Sequence, residues 1–292
     1  MIPPTVIVGL HGRLVRHPWF DRVLEGISDG TDPDSSLEED VLGLVIDRAG
    51  AYGWQTLSRW LHEDGRTTAR HEPTAWAHEE VGGDWTEDGA VRQLAWLQAG
   101  FLDAAQTPGS SVRLPVRPMT LVLTEVLERV GEVSFTGLHA LLPLQAAQYD
   151  TAFFQGELAP WFGLADPDSA YDVAVTVFRV PGGDGGRGAT VEQEAAAVCA
   201  GLGDLAQGAV TCTTPGTKAA SATEGPGAGL ALDLDGVLHT TGMREVMRLD
   251  CRTREWTPDL AVWLLEAVTE GLRAAGGAVP TVVSVSLASP SP

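Results

Sequence analysis

The order in which strand and helix patterns follow one another constrains this chain more than any single motif. The first half opens with an apolar strand pattern at residues 5–14 and a short helix pattern at 19–27. It closes with a helix at 119–130 followed by a strand at 133–142. The second half opens with a strand at 171–180 and a helix at 191–205. It closes with a helix at 259–274 and a strand at 281–287. Because the apolar spacing changes between the helical and strand periods in the same order, both halves share one outer frame.

This order predicts an α+β fold made of two similar split β-α-β (ferredoxin-like) halves, which together form one pseudo-duplicated sandwich or barrel-like sheet. We expect the first half to span residues 1–147, with an insertion rich in Trp and His at about 52–106. Residues 148–170 connect it to the second half, residues 171–292. Strands are also expected at 208–213, 230–238 and 246–251. The alternative is a single mixed-sheet α/β domain.

The charge balance excludes two classes of partner. Nineteen Lys and Arg residues oppose 39 Asp and Glu residues, for a net charge of −20. Nucleic acid and anionic membrane surfaces both require a basic face, so we expect neither as a partner. A hydrophobic fraction of 44% is enough for a folded core. We therefore expect a small-molecule or peptide substrate, with a homodimer or a partner enzyme as further possibilities.

Lysine and cysteine usage narrows the chemistry further. Lys218 is the only lysine and lies in a segment rich in Gly and Pro, which argues against a Schiff-base or phosphate-binding lysine. Together with the absence of Asn, this composition is typical of a GC-rich genome. The three cysteines, Cys199, Cys212 and Cys251, do not form a close pair in the sequence. No basic leader or long apolar segment is evident, so we expect a cytoplasmic protein.

A strand pattern at 230–238 ends in Asp-x-Asp-Gly, which resembles the first motif of haloacid-dehalogenase-type phosphatases. In that family Asp233 would be the nucleophile and Asp235 the general acid. The resemblance covers nine residues, and no lysine follows it, although the family requires one. We therefore interpret Asp235-Gly236 as a turn.

A second motif, at residues 183–188, matches the G-x-G-x-x-G pattern of dinucleotide sites. Its glycines lie in a long loop, whereas the helix that follows begins with a capping box from Thr190 to Gln193. A dinucleotide site places the helix start within the glycine turn. We therefore interpret the segment as a surface loop. Residues 29–40, with six acids in twelve positions, are interpreted in the same way, as a solvated loop.

The insertion holds most of the candidate site residues. His62, His71 and His78 fall within 17 residues, and each is followed directly by a glutamate. The same region carries five of the nine tryptophans: Trp54, Trp60, Trp76, Trp85 and Trp96. We predict His71, His78 and Glu79 as catalytic acid–base groups, and Trp54, Trp60, Trp76 and Trp85 as walls of a substrate pocket. A metal bound by His and Glu is an alternative, and otherwise no cofactor is expected.

Two further histidines lie on strand patterns at the two ends of the first half. His11 falls in the first strand and His139 in the last. If both strands belong to one sheet, their side chains face a shared cavity. We therefore add His11 and His139 to the candidate catalytic groups and Arg13 to the candidate substrate-binding groups.

The absence of a nucleotide loop, a usable lysine and a thiol motif favours one function by elimination. We expect a cofactor-independent acid–base enzyme of bacterial biosynthetic metabolism, of the cyclase, isomerase or lyase type. Two alternatives remain. One is a non-catalytic interaction subunit that docks through exposed tryptophans, and the other is a metal-dependent enzyme that uses His and Glu ligands.

Overall fold

The fold is a mixed α+β arrangement dominated by one open antiparallel sheet. The computed structural model describes residues 5–20, 22, 37–52, 76–101, 114–144, 159–180, 190–206, 208–214, 243–277 and 279–288. Within these residues the chain forms eight strands and five helices. No helix of this described part is long and apolar enough to cross a membrane.

The elements follow one another along the chain with strands and helices interleaved. The strands are β1 (Thr5–Arg16), β2 (Trp76–Gly82), β3 (Arg92–Phe101), β4 (Gly131–Pro143), β5 (Tyr171–Arg179), β6 (Val210–Thr213), β7 (Arg244–Thr253) and β8 (Pro280–Leu287). The helices are α1 (Leu37–Ala51), α2 (Val116–Val130), α3 (Ala159–Phe162), α4 (Val191–Ala206) and α5 (Pro258–Ala274). Six of the predicted strands and three of the predicted helices are confirmed to within three residues at each end.

Four elements depart from the sequence prediction, one of which is the short helix α3, within the expected connection at 148–170. β2 and β3 lie inside the expected insertion, and α1 begins at Leu37, within the segment interpreted as a loop. β2 carries consecutive polar residues, His78, Glu79 and Glu80, so it lacks the alternation that marks a half-buried strand. α1 contains two glycines, which weaken a helical pattern. The strand predicted at 230–238, the loop at 183–188 and six of the nine residues of the helix predicted at 19–27 lie outside the described residues.

The sheet runs continuously through both halves of the chain. Its strand order is β2-β3-β1-β4-β8-β5-β7-β6, and every neighbouring pair is antiparallel. The two halves have the same order of strands and helices, β1-α1-β2-β3-α2-β4 in the first and β5-α4-β6-β7-α5-β8 in the second. In each set the last strand neighbours the first, and β4 pairs with β8 at the centre. The two halves therefore meet strand to strand.

The helices form a layer on one face of the sheet. α2 contacts β1, β3 and β4, and α5 contacts β4 and β8. α1 packs beside α2 at one end of the layer, and α4 packs beside α5 at the other. One large cluster of buried side chains fills the space between this layer and the sheet, with the fully buried Trp263 of α5 among its largest members.

The central strands are buried on both faces. In β4, Leu138, Ala140 and Leu142 point to the helix layer, whereas His139 and Leu141 point to the opposite side, which we call the second face. Successive strand residues alternate between the faces of a sheet, so a strand buried on both sides reads as a nearly continuous apolar run. His139 interrupts that run and is nevertheless fully buried.

The start of α4 confirms the predicted capping box. The Thr190 backbone N–H donates to the Gln193 side-chain oxygen at 2.9 Å, and the Gln193 N–H donates to the Thr190 hydroxyl at 3.3 Å. Next to it, the guanidinium of Arg179 at the end of β5 donates two hydrogen bonds to Glu194, at 2.8 and 2.7 Å. A bidentate pair of this kind fixes the first turn of α4 on the sheet.

The cysteines are arranged differently from the sequence expectation. Cys199 of α4 and Cys212 of β6 form a disulfide with a Cα–Cα distance of 5.5 Å, whereas Cys251 is a buried free thiol. The sequence shows no close pair because the partners are 13 residues apart and lie on different elements. The cysteine argument for an intracellular location therefore fails.

We expect reduction of the Cys199–Cys212 disulfide to lower the free energy of unfolding by about 3 kcal/mol, because a cross-link that closes a loop of this length restricts the unfolded chain. Urea unfolding with and without dithiothreitol measures the difference. The double variant C199S/C212S serves as the control and should show no effect of the reductant. An unchanged unfolding midpoint of the wild-type protein on reduction would contradict this expectation.

Candidate functional site

Several residues of the Trp/His-rich insertion are outside the part of the chain that the structure describes. Trp54, Trp60, His62 and His71 lie outside the described residues. Trp76 and His78 lie on the edge strand β2, where the structure describes their backbone but not their side chains. The predicted grouping of His71 with His78 therefore stays a prediction.

Trp85 and Arg13, both predicted to bind substrate, are engaged elsewhere. Trp85 is 3% exposed in the core on the helix side, and its indole N–H donates to the Leu94 carbonyl at 2.9 Å. Its ring packs edge-on against Phe20. Arg13 is exposed, and its Nε donates to the carbonyl of Gly89 at 2.8 Å. Both side chains hold neighbouring backbone or core in place.

His11 and His139 come together on the second face of the sheet. They lie on the adjacent strands β1 and β4, and His11 Nε2 is 2.5 Å from His139 Nδ1. The register of β1 shifts on both sides at His11, because β3 has one extra residue at Leu94 and β4 has one at Thr136, each a β-bulge. Such a bulge re-aims a side chain. The two imidazoles are 1% and 0% exposed, so the contact is shielded from water.

Burial keeps both rings uncharged. It lowers the pKa of His11 from its ordinary value to about 3. Burial, reinforced by the neighbouring His11, also holds the pKa of His139 well below its ordinary value. A neutral imidazole has one N–H and one bare nitrogen. In the His11–His139 contact, one nitrogen therefore donates a hydrogen and the other accepts it.

A third polar side chain, Gln93 of β3, reaches the same spot. Gln93 pairs with His11 across β1 and β3. A Cβ placed on Gly9 would lie 2.7 Å from Gln93 Nε2, 2.7 Å from His139 Nε2 and 2.3 Å from His139 Cε1. The imidazole and the amide thus lie directly over Gly9, in space that any larger residue would fill.

Two nitrogen atoms over Gly9 are buried without a hydrogen-bond partner. These are His139 Nε2 and Gln93 Nε2, for which the described part of the chain provides no acceptor or donor. Leaving a buried polar group unpaired costs about 1–3 kcal/mol. A buried polar group without a partner therefore requires an explanation, such as a bound water, a bound ligand or a catalytic role.

The histidine pair spans two neighbouring rows of residues that cross the middle of the sheet. Cross-strand register places Trp96, Gly9, His139, Ser284, Thr176 and Arg248 side by side on the second face. A neighbouring row contains Gln93, His11, Gly137, Ser286, Ala174 and Asp250. Ser284, Ser286 and Thr176 are each 2% exposed or less. The hydroxyl of Ser284 donates to the Thr176 carbonyl at 3.4 Å.

Glu79, predicted as a catalytic group, lies on the same face but farther along the sheet. It accepts a hydrogen bond from Gln98 Nε2 at 2.6 Å, and its side chain lies over Gly100. Gln98 and Gly100 pair with Ile7 and Thr5 of β1, two and four positions before Gly9. At about 3.3 Å per residue along the strands and about 4.8 Å from β3 to β1, the carboxylate lies about 8–14 Å from the histidine pair.

The histidine contact does not have the geometry of a metal site. Two imidazoles that bind one ion hold it about 2.0–2.1 Å from each nitrogen, which sets the nitrogens about 3.3 Å apart in a tetrahedral site. The His11 and His139 nitrogens face one another at 2.5 Å instead. Among the described residues, no group of three or more His, Cys, Asp or Glu side chains is placed to hold an ion.

A groove of about 740 Å³ lies on the other side of the molecule, between α1 and α2. Trp19, Arg48 and Glu125 are among the residues that line it. Arg48 and Glu125 form an ion pair with each other, and the Tyr52 hydroxyl also donates to Glu125. Because these groups already satisfy one another, the second face is the stronger candidate site.

Gln93, Gly9 and Ser284 were missed at the level of the sequence. Each is an ordinary residue in its own strand, and only cross-strand register brings it beside His139. One signal was present. Gly9 interrupts an apolar strand, and a glycine inside a strand pattern marks a close approach of other atoms.

We expect the histidine pair to make the protein less stable in weak acid. The unfolded histidines bind a proton below about pH 6.5, whereas buried His11 does so only near pH 3, so stability is lost as the pH falls from 6.5 towards 3. Between pH 7 and pH 5 each histidine should lower the free energy of unfolding by about 2 kcal/mol. Urea unfolding at both pH values, on wild type and on H11Q/H139Q, measures this loss. An equal loss in the double variant would contradict the assignment.

We expect Gly9→Ala to break the arrangement over Gly9, because the added methyl group would overlap the His139 ring. Overpacking of this kind costs about 1–3 kcal/mol. Gly43→Ala is the matched control: it adds the same methyl group to an exposed position of α1 where nothing lies within 4 Å, and it should stabilise the helix by about 0.5–1 kcal/mol. Thermal unfolding of both variants tests this, and equal effects would refute it.

Comparison with known proteins yields no match to this chain: no family model matches it, and no curated protein or solved structure is significantly similar. Function is therefore inferred from the chemistry of the residues over Gly9. Their burial, their mutual contacts and their unpaired nitrogens are the observations available for it.

Proposed function

We propose that the second face of the sheet binds a small organic molecule through a carbonyl or carboxylate oxygen, and that the protein is a cofactor-independent acid–base enzyme acting on that molecule. The reaction class is that of a cyclase, isomerase or lyase. The observation that carries the proposal is the pair of buried, unpaired nitrogens, His139 Nε2 and Gln93 Nε2, above Gly9.

The histidine contact determines what these nitrogens do. We assign His11 Nε2 as the donor to His139 Nδ1, which leaves the single hydrogen of neutral His139 on Nε2. The Gln93 amide nitrogen is also a donor. Two donors then lie near one point above Gly9, each 2.7 Å from the position of an added Cβ, and both lack an acceptor within the described residues. An oxygen atom of a ligand is the complement of such a pair.

Donors arranged in this way polarise a carbonyl group. Hydrogen bonds aimed at an oxygen on which negative charge develops stabilise the transition state, and they do so most strongly where water is excluded. A neutral imidazole can fill this role, because its remaining N–H can donate a hydrogen bond to a substrate carbonyl. The low pKa of His11 and His139 thus supports an electrophilic role for the pair.

Glu79 is the candidate proton acceptor. Its carboxylate is hydrogen-bonded by Gln98, on the same face as His139. Removing a proton from a carbon near a polarised carbonyl is the common first step of isomerases, lyases and many cyclases. Because about 8–14 Å separates the Glu79 carboxylate from the histidine pair, a substrate that contacts both must have that length. Between them lie Trp96 and Ile7, which offer apolar contacts.

We further propose that the two halves are ferredoxin-like units related by duplication. Support comes from the shared element order and from the equivalent places of their strands, with the last strand beside the first in each half. On this view the site lies beside the junction of the units, because His139 of β4 pairs with Ser284 of β8.

The proposal is tested with a panel of simple oxygen compounds, namely carboxylates, amides and ketones, added to the ¹⁵N-histidine-labelled protein. We expect at least one class to shift the His139 Nε2 resonance, and we expect that nitrogen to be protonated in the free protein. In D₂O, wild type should catalyse deuterium uptake next to the carbonyl of that compound. His139→Gln should slow this uptake by about 10²–10³-fold, the effect of losing one such donor.

His17→Gln is the matched control, because His17 lies just beyond the end of β1 and contacts the Glu128 carbonyl instead of the pair. It should retain both binding and exchange. An unprotonated His139 Nε2, no response to any compound, or a folded H139Q variant that exchanges at the wild-type rate would each overturn the proposal. Circular dichroism of both variants verifies that they fold.

A further inference from the structure

All three cysteines of the chain meet at the outer end of the sheet, far along the strand order from the histidine pair. They come from three elements: Cys199 from α4, Cys212 from β6 and Cys251 from β7. Cys199 and Cys212 form the disulfide, and Cys251 is a free thiol in the core. The side chains of all three pack in the same cluster on the helix side of the sheet.

Cys212 has a second possible partner in addition to Cys199. In the register of β6 and β7, Cys212 lies directly opposite Cys251. Residues directly opposite in an antiparallel pair have Cα atoms about 4.5–5.5 Å apart and point to the same face. Disulfides span Cα distances of about 4.4–6.8 Å. Register alone therefore places Cys251 within bonding range of Cys212, as the helix packing does for Cys199.

We propose that these residues form a thiol–disulfide exchange site, in which Cys212 bonds alternately to Cys199 and to Cys251 and which accepts electrons from dithiols. In the internal step, the Cys251 thiolate attacks Cys212 Sγ. The Cys212–Cys251 bond forms, the Cys199–Cys212 bond breaks, and Cys199 leaves as the thiolate that takes up the proton lost by Cys251. No electrons enter or leave in this step.

A second reaction connects the site to a partner of defined chemistry. A dithiol attacks the Cys199–Cys212 bond, transfers two electrons and two protons to it, and becomes a disulfide itself. Both sulfurs belong to half-buried residues, so a small dithiol reaches them. Cys251 is 3% exposed. Burial and the adjacent Asp250 raise the pKa of its thiol to about 12, which keeps it unreactive until the β6–β7 edge opens.

The exchange changes which elements are cross-linked. The Cys199–Cys212 bond ties α4 to the edge strand β6, whereas a Cys212–Cys251 bond would tie β6 to its neighbour β7 and release α4. Because β6 is only four residues long and, among the strands that the structure describes, pairs only with β7, its attachment depends strongly on such a link. The state of Cys212 therefore determines how firmly α4 is held at this end of the sheet.

The decisive experiment uses the full-length Cys199→Ser variant, incubated with oxidised glutathione and then alkylated and digested with trypsin. Trypsin releases Cys251 in the peptide of residues 249–252, between Arg248 and Arg252, and leaves Cys212 in the peptide of residues 188–218. We expect a disulfide between these two peptides and the loss of both free thiols. Cys212 recovered only as its glutathione adduct, with Cys251 alkylated, would overturn the proposal.

Two controls keep the result interpretable. Cys251→Ala should retain the Cys199–Cys212 bond and leave no free thiol. If circular dichroism shows that C199S does not fold, wild-type protein treated with a limiting amount of dithiothreitol and quenched in acid provides a second measurement. It should contain the peptide of residues 249–252 linked to Cys212 of the peptide of residues 188–218, with Cys199 alkylated, and the absence of this species at every time point would count against the exchange.

Discussion

The pairing of β4 with β8 is the interaction on which the rest of the structure depends. It joins two four-stranded sets into one sheet and makes both strands central, so that each is buried on two faces. The helix layer follows from it, because α2 and α5 meet above this junction. The polar row follows as well, since His139 and Ser284 are opposite each other only in this register. A shift by one residue would move His139 to the helix side.

The second face combines burial with polarity, which is costly for a fold. The Ser284 hydroxyl donates a hydrogen bond to the backbone of the neighbouring strand, and His11 provides a hydrogen-bond partner for His139 Nδ1. The nitrogens over Gly9 remain unpaired. A core selected for stability alone would place apolar side chains here, as the adjacent row with Ile7 and Val282 does. This contrast between polar and apolar rows on one face is the physical reason to propose that the polar residues over Gly9 are functional.

The centre of the sheet and its outer end carry different chemical groups. Near the centre of the sheet, His11, His139 and Gln93 form a buried polar cluster, which we propose binds a ligand oxygen. At the outer end, the cysteines cross-link a short edge strand to a helix. Sheet edges are exposed to pairing with other chains and need protection, and a helix tethered by a disulfide provides it. Since α4 also packs on α5, the cross-linked edge is connected to the central layer.

The sequence by itself determined the α+β class, most element positions and the presence of His11 and His139 on strands of one half, because these depend on local periodicity and on caps such as that of Thr190. It did not reveal β2, whose polar run hides its alternation, or α1. Only the tertiary structure decided the strand order, the pairing of Cys199 with Cys212 and the meeting of Gln93 with His139 over Gly9. These contacts join residues far apart in the chain. Cross-strand register and packing specify them, and no local pattern carries that information.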